Sequence, residues 1–248
     1  MICAILRPGR VHASRGIVAI LQRIVRRIRT RWPEVAIELR ADSGFAIPDL
    51  YAWCEEQKIG YTIGLPPNSR LADLAAPLLG EAQERYAETL EKVRIGGEEY
   101  YAAGSWPHER RVVYKVEVLP KGTNTRFVVT TRTEDPLTLY DWYVQRGDHP
   151  ELCIKDFKDA CFADRLSDHT FWANQFRLLL HMAAYWLLDT IRRWLVELRT
   201  PPMQLDTLRL RLIKIGGWVR RCLDGLRLHL ASSHPGEPLW HLLASQPH

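Results

Sequence analysis

The chain has 248 residues, 46% apolar and 25% charged, so it can bury a sizeable core and is not disordered in bulk; its net charge of +5 admits a polyanionic partner without requiring one. The five cysteines (Cys3, Cys54, Cys153, Cys161 and Cys222) are odd in number and form no CxxC pair, which argues against a disulfide framework or structural zinc and for a reducing cytoplasm. The longest apolar run, Leu178 to Leu188, is 11 residues with His181 inside it, against the roughly 20 that a membrane span needs, and the first apolar stretch is too short for a signal peptide.

Met1 opens directly into a strand-like run, Ile2 to Leu6. Residues Ser14 to Arg31 then have helical periodicity, with Ser14 as a candidate N-cap and Ile17, Ile20, Leu21, Ile24, Val25 and Ile28 on one face. Arg15, Arg23, Arg26, Arg27 and Arg29 occupy the other face, read as a solvated surface ahead of a dedicated DNA contact. Ala36 to Asp42 alternates as a half-buried strand, Ile47 to Gln57 reads as a helix with Pro48 in its first turn, and Tyr61 to Leu65 is a second strand. Strands and helices in this succession predict an α/β unit with parallel pairing.

Leu71 to Leu90 is the next predicted helix. Lys92 to Gly104, Arg110 to Leu119 and Thr125 to Thr131 are strand-like, with Gly96-Gly97 and Lys121-Gly122 as hairpin signals, and together they read as a β-rich insertion. Helices follow at Leu137 to Gln145, from Pro150 with Asp148 or His149 as cap, and from Phe171 to Leu198. Thr207 to Ile215 and Leu226 to Leu230 alternate like strands.

Two groups of residues could carry chemistry. Asp42 ends a predicted strand, where α/β sheets gather ligands and metals, although Asp is also common in turns for its local hydrogen bonds. Tyr143 and Arg146 are three apart on one helix, and Glu151 and Lys158 are seven apart on one face of the next. A carboxylate beside cations suits a phosphodiester, since Arg clamps phosphate with two hydrogen bonds, but an exposed charged helix would look the same.

The segment Glu38-Leu-Arg-Ala-Asp-Ser-Gly-Phe45 resembles the surroundings of the second catalytic aspartate in bacterial DDE-type insertion-sequence transposases. Tyr143-x-x-Arg146, followed by Glu151-x-x-Ile154-Lys155 and Lys158, resembles their Tyr-Arg-Glu-Lys motif. Phe162 to Ser167, Phe171 to Leu180, Thr207 to Ile215 and His229 to His234 match the family's later segments in order. Two departures stand out: Leu152 occupies the usual Asn position, and four residues rather than three separate Arg146 from Glu151, which leaves Asp148 as the alternative glutamate counterpart.

The resemblance implies an α/β fold: an incomplete RNase-H-like domain with a partial core at 1–66, a β-rich insertion at 67–135, a helical remainder at 136–200, and C-terminal strands and tail at 201–248. It implies Asp42 and Glu151 as catalytic ligands of magnesium or manganese, with Tyr143, Arg146 and Lys158 on DNA phosphates. The implied partners are the DNA ends of the element and, at full length, further copies of the chain, with no membrane. The family's first aspartate precedes the counterpart of Met1, with Ile2 to Leu6 corresponding to the third strand of the sheet. The implied chain is therefore N-terminally truncated, holds metal poorly and cleaves no DNA alone. The competing expectations are a non-catalytic DNA- or transposase-binding inhibitor, a nuclease that never transposes, and a decayed gene product.

Overall fold

The computed structural model describes residues 2–145 and 147–245, the side chains of Asp148 and His149 excepted. It divides into two compact units, one of residues 7–147 and the other of residues 1–6 with 148–248.

The first unit is built in chain order from α1 (Ile17–Arg31), β1 (Glu38–Ala41), α2 (Pro48–Glu56), β2 (Gly60–Leu65), α3 (Ser69–Thr89), β3 (Val93–Tyr101), β4 (Arg110–Leu119), β5 (Gly122–Thr130) and α4 (Pro136–Val144). Local chemistry sets several of these boundaries. Pro48 sits in the first turn of α2, where its missing N–H costs nothing, and Asn68 caps α3 by accepting from the Leu71 amide at 3.0 Å. Asp135 caps α4 through the amides of Leu137 and Thr138, both at 3.1 Å. Ser14 does not cap α1. Its hydroxyl bonds His12 at 2.8 Å instead, and the helix starts after Gly16, whose φ of 73° is left-handed.

The strands form one sheet in the order β1-β2-β5-β4-β3. β1 and β2 run parallel, as the alternation of strands and helices predicts, and the remaining pairs are antiparallel. The β-rich stretch is thus an extension of the same sheet, because β5 pairs with β2 from Thr62↔Thr130 to Leu65↔Phe127. Gly122 makes the β4–β5 turn with φ 122°. Gly96-Gly97 makes no turn and lies inside β3, where a Cβ on Gly96 would stand 2.8 Å from Leu137 and one on Gly97 2.5 Å from the Tyr114 ring. These glycines answer to close packing, the other reason for glycine within a strand.

Each face of the sheet has its own cover. Tyr61, Ile63, Val112, Tyr114, Val116, Phe127 and Val129 point into the main core with Val25 of α1, Leu50 and Tyr51 of α2, and Leu71 and Ala75 of α3. The alternate residues Val113 and Val128 meet Leu139, Tyr140 and Tyr143 of α4. On this second face Lys115 and Glu117 are buried as a pair, 2.8 Å apart, with Lys92 also on Glu117 at 2.7 Å. Burial pushes the Glu117 carboxyl up, but the hydrogen bonds from both lysines outweigh this and hold it down at about 2.

The second unit contains α5 (Asp148–Asp159), α6 (Phe171–Glu197), α7 (Leu205–Leu212), the hairpin of β6 (Gly217–Cys222) and β7 (Gly225–Leu230), and α8 (Glu237–Ala244). Phe157, Ala160, Leu178, Met182, Tyr185 and Leu205 form its main core. Asp156 and Asp189, both buried, share Arg192, and Asp189 also holds Arg193.

Two expected strands take other forms here. Thr207 to Ile215 is largely helical: Leu205, Leu208 and Leu212 are fully buried at three- and four-residue steps, while Leu210 is 48% exposed. Ile2 to Leu6 pairs with no strand among the described residues. It carries no ladder, Ala4 and Leu6 pack inward, and Gln175 of α6 accepts from the Leu6 amide at 2.7 Å. Pro150 lies in the third position of α5 rather than the first; the expected Asp148 or His149 cap falls on side chains outside the described ones. All five cysteines are free, and among the described residues no helix is long and apolar enough to cross a membrane.

Candidate active site at the carboxyl end of β1

Asp42 follows β1 directly, at the carboxyl end of the two parallel strands. Its Oδ1 accepts from the Gly44 amide at 2.9 Å, starting the single 3-10 turn Ser43–Phe45. Oδ2 accepts no hydrogen bond among the described residues, and the residue is exposed. Asp42 therefore does serve the turn, while one oxygen stays available.

The backbone beneath Asp42 is fixed from two further elements. The Tyr143 hydroxyl, from α4, donates to the carbonyl of Ala41 at 3.1 Å, across 102 residues of sequence. Gly64 of β2 makes this approach possible: a Cβ there would stand 2.6 Å from Tyr143 Oη and 3.0 Å from the Ser43 amide nitrogen. Tyr143 is buried, with its ring 6.0 Å from that of Tyr140. Asp42 and Tyr143 are thus brought together, and the tyrosine acts on the strand backbone that carries the carboxylate.

Beside them, Arg40 lies within β1, two residues before Asp42. Its Nη1 donates to the Trp142 carbonyl at 2.8 Å, and its guanidinium lies 4.4 Å from the Trp142 ring centroid. Arg132, after β5, lies 4.0 Å from the same ring and is paired with Glu38 at 2.7 Å and with Glu134. Sequence reasoning passed over Arg40, Gly64 and Trp142. Strand alternation from Asp42 would have found Arg40, and a glycine inside a strand was a signal for Gly64.

A second polar cluster, in a cavity of about 370 Å³, is self-neutralised. Buried Arg110 donates to both oxygens of Glu55, at 2.7 and 3.0 Å, and the Tyr61 hydroxyl adds a bond at 2.8 Å. Burial pushes the Glu55 carboxyl up, but these bonds win and lower it. The cluster ties α2 to β2 and β4 and leaves the Glu55 carboxylate fully engaged.

In the other unit, Glu151, Lys155 and Lys158 are all exposed and recur at four and three residues along one stripe of α5. The opposite side of the helix buries Asp156, Phe157 and Ala160. Arg146 lies outside the described residues.

Carboxylate oxygens are the donors that a hard divalent cation prefers, so Asp42 and Glu151 suit magnesium or manganese in kind. Among the described residues, no three His, Cys, Asp or Glu side chains converge.

A family model described as "Transposase DDE domain group 1" matches residues 1–246. No curated protein and no solved structure matches the chain.

Proposed function

Because this chain belongs to the transposase family that carries the group 1 DDE domain, whose members generally use divalent metal ions, we propose that its residues take part in DNA cleavage and strand transfer on an RNase-H-like scaffold. The observation that carries the proposal is the fixed position of Asp42 at the carboxyl end of β1, held by Tyr143 and Gly64 and carrying an available oxygen.

In this reading Asp42 and Glu151 would hold the divalent cations. Such cations, when bound, lower the cost of charge on the attacking and leaving oxygens of a phosphodiester. The protein's own share is positional. Tyr143 fixes the Ala41 carbonyl and so the direction in which Asp42 leaves the strand. Lys158, two turns beyond Glu151 on the same stripe, supplies a mobile cation for a DNA phosphate. Arg146 takes a similar role by its motif position. Assembly of further copies on the element ends belongs to the same reading.

No three His, Cys, Asp or Glu side chains converge among the described residues, and we propose that residues 1–248 alone do not cut DNA. The test is magnesium- or manganese-dependent nicking of DNA bearing the element ends. Residues 1–248 are compared with a longer form extended upstream of residue 1. Cutting by the longer form alone is expected. Cutting by 1–248 that survives Asp42→Ala would overturn the assignment of Asp42, and cutting by neither would favour a non-catalytic DNA-binding module.

A further inference from the structure

Residues 1–33 contain eight arginines and neither Asp, Glu nor Lys; since the whole chain has 34 basic and 29 acidic residues, the rest holds 26 against 29 and is net acidic. The entire basic surplus of the protein is therefore gathered at α1 and the segment before it.

On α1 the apolar face is turned toward the fold, with Ile20, Ile24 and Ile28 half-buried. Val25 is buried in the main core, and Ile17, Val18 and Leu21 pack against it. Arg23, Arg26, Arg27 and Arg31 are exposed on the other face. Arg23, Arg27 and Arg31 are four residues apart, one helical row spanning about 12 Å at 1.5 Å per residue. Among the described residues these four side chains hold neither a hydrogen bond nor an ion pair; only Arg29, on the flank, donates to the Gln57 carbonyl at 2.7 Å. Elsewhere in the same unit Arg85, Arg94, Arg110, Arg111 and Arg132 each hold a carboxylate. Like charges at four-residue spacing weaken a helix slightly, so the row works against α1 in the free protein.

We propose that the Arg23–Arg27–Arg31 row of α1 is a contact surface for the phosphate backbone of duplex DNA, independent of sequence and additional to the residues around Asp42 and Glu151. The inference rests on the transposase reading of the chain. A regular row of guanidinium groups suits a regular row of phosphates, each able to accept two hydrogen bonds from one Arg. An anionic membrane is the other polyanion that a basic amphipathic helix can meet, but it binds by inserting the apolar face, and here Ile17, Val18, Leu21 and Val25 of that face are engaged in the core.

The test uses the whole chain and a duplex of arbitrary sequence, with affinity followed by fluorescence anisotropy from about 50 to 200 mM salt, the range over which phosphate contacts dominate the change. The triple variant Arg23→Gln, Arg27→Gln, Arg31→Gln is compared with the triple Lys variant and with Arg85→Gln, and circular dichroism checks that each folds. With roughly 0.9 counterions released per phosphate, the Gln triple is expected to lower the slope of log affinity against log salt by about 2 to 3, while the Lys triple and Arg85→Gln keep it. An unchanged slope in the folded Gln triple would overturn the α1 surface and leave the transposase reading standing. A native chain that binds no duplex at low salt would remove both. Binding of the native chain, but not the Gln triple, to phosphatidylserine vesicles in place of DNA would overturn the proposal in favour of a membrane.

Discussion

Asp42 stands where three pieces of chain converge: β1 carries it, Gly64 of β2 makes room beneath it, and Tyr143 of α4 bonds the carbonyl one residue before it. Glu151 stands on the exposed stripe of a single helix, and what is fixed is the underside of that helix, through Phe157 and the Asp156–Arg192 pair. A side chain at a strand end can be aimed by neighbours that grip its own backbone. A side chain on a helix inherits its place from the helix as a whole. Changes near Asp42 should therefore act locally, whereas Glu151 should be disturbed by changes made on the far side of α5.

The largest effect tests the second half of this contrast. Arg192→Met leaves Asp156 and Asp189 buried without their shared cation, and should cost about 3–5 kcal/mol in a urea unfolding experiment. It should also raise hydrogen exchange along α5; unchanged protection there would mean that the pair does not seat the helix. Next, Gly64→Ala should cost about 1–3 kcal/mol from the clash with Tyr143 Oη and the Ser43 amide. Adding Tyr143→Phe should recover part of that loss by removing the nearer atom, and strictly additive losses would contradict the proposed close approach.

Glu117 gives a control on the same α4 face of the sheet that does not involve Asp42. Its folded value of about 2 lies below its unfolded value, so its contribution is present above the ordinary carboxylate range near 4.5 and is lost as pH falls toward about 2. Glu117→Gln should flatten the fall in urea midpoint across that window. A variant that loses stability as steeply as the native protein would assign the acid sensitivity elsewhere. Tyr143→Phe alone should cost about 1 kcal/mol, the usual net value of one hydrogen bond. Smallest is Asp42→Asn, expected within about 0.5 kcal/mol of native because the residue is exposed and Asn can still accept from Gly44.

Much of this was readable in the sequence, for identifiable reasons. β1, α2 and β2 carry period and boundary signals together, so both their limits and the parallel pairing follow from local residues. Thr207 to Ile215 misleads because Leu208, Leu210 and Leu212 alternate over a stretch short enough to fit either period; burial of Leu205 decides for the helix, and that residue lies outside the alternating run. Ile2 to Leu6 is an apolar run of which Ala4 and Leu6 pack inward, yet a strand needs a partner and no sequence signal supplies one. At the site, the location of Asp42 at a strand end was legible. The Tyr143–Ala41 bond was not, because it depends on where β5 returns to β2 and on α4 crossing the sheet's second face, both set by the topology.

The central claim is that Asp42 and Glu151 are the carboxylates this chain contributes to a transposase. The most direct test places Asp42→Asn, Glu151→Gln and Asp148→Asn singly in the form extended upstream of residue 1, and measures manganese-dependent cleavage of DNA bearing the element ends. The account predicts that the first two variants abolish cleavage, while Asp148→Asn keeps most of it. Cleavage that survives Glu151→Gln and is lost in Asp148→Asn would contradict it and move the catalytic role to Asp148.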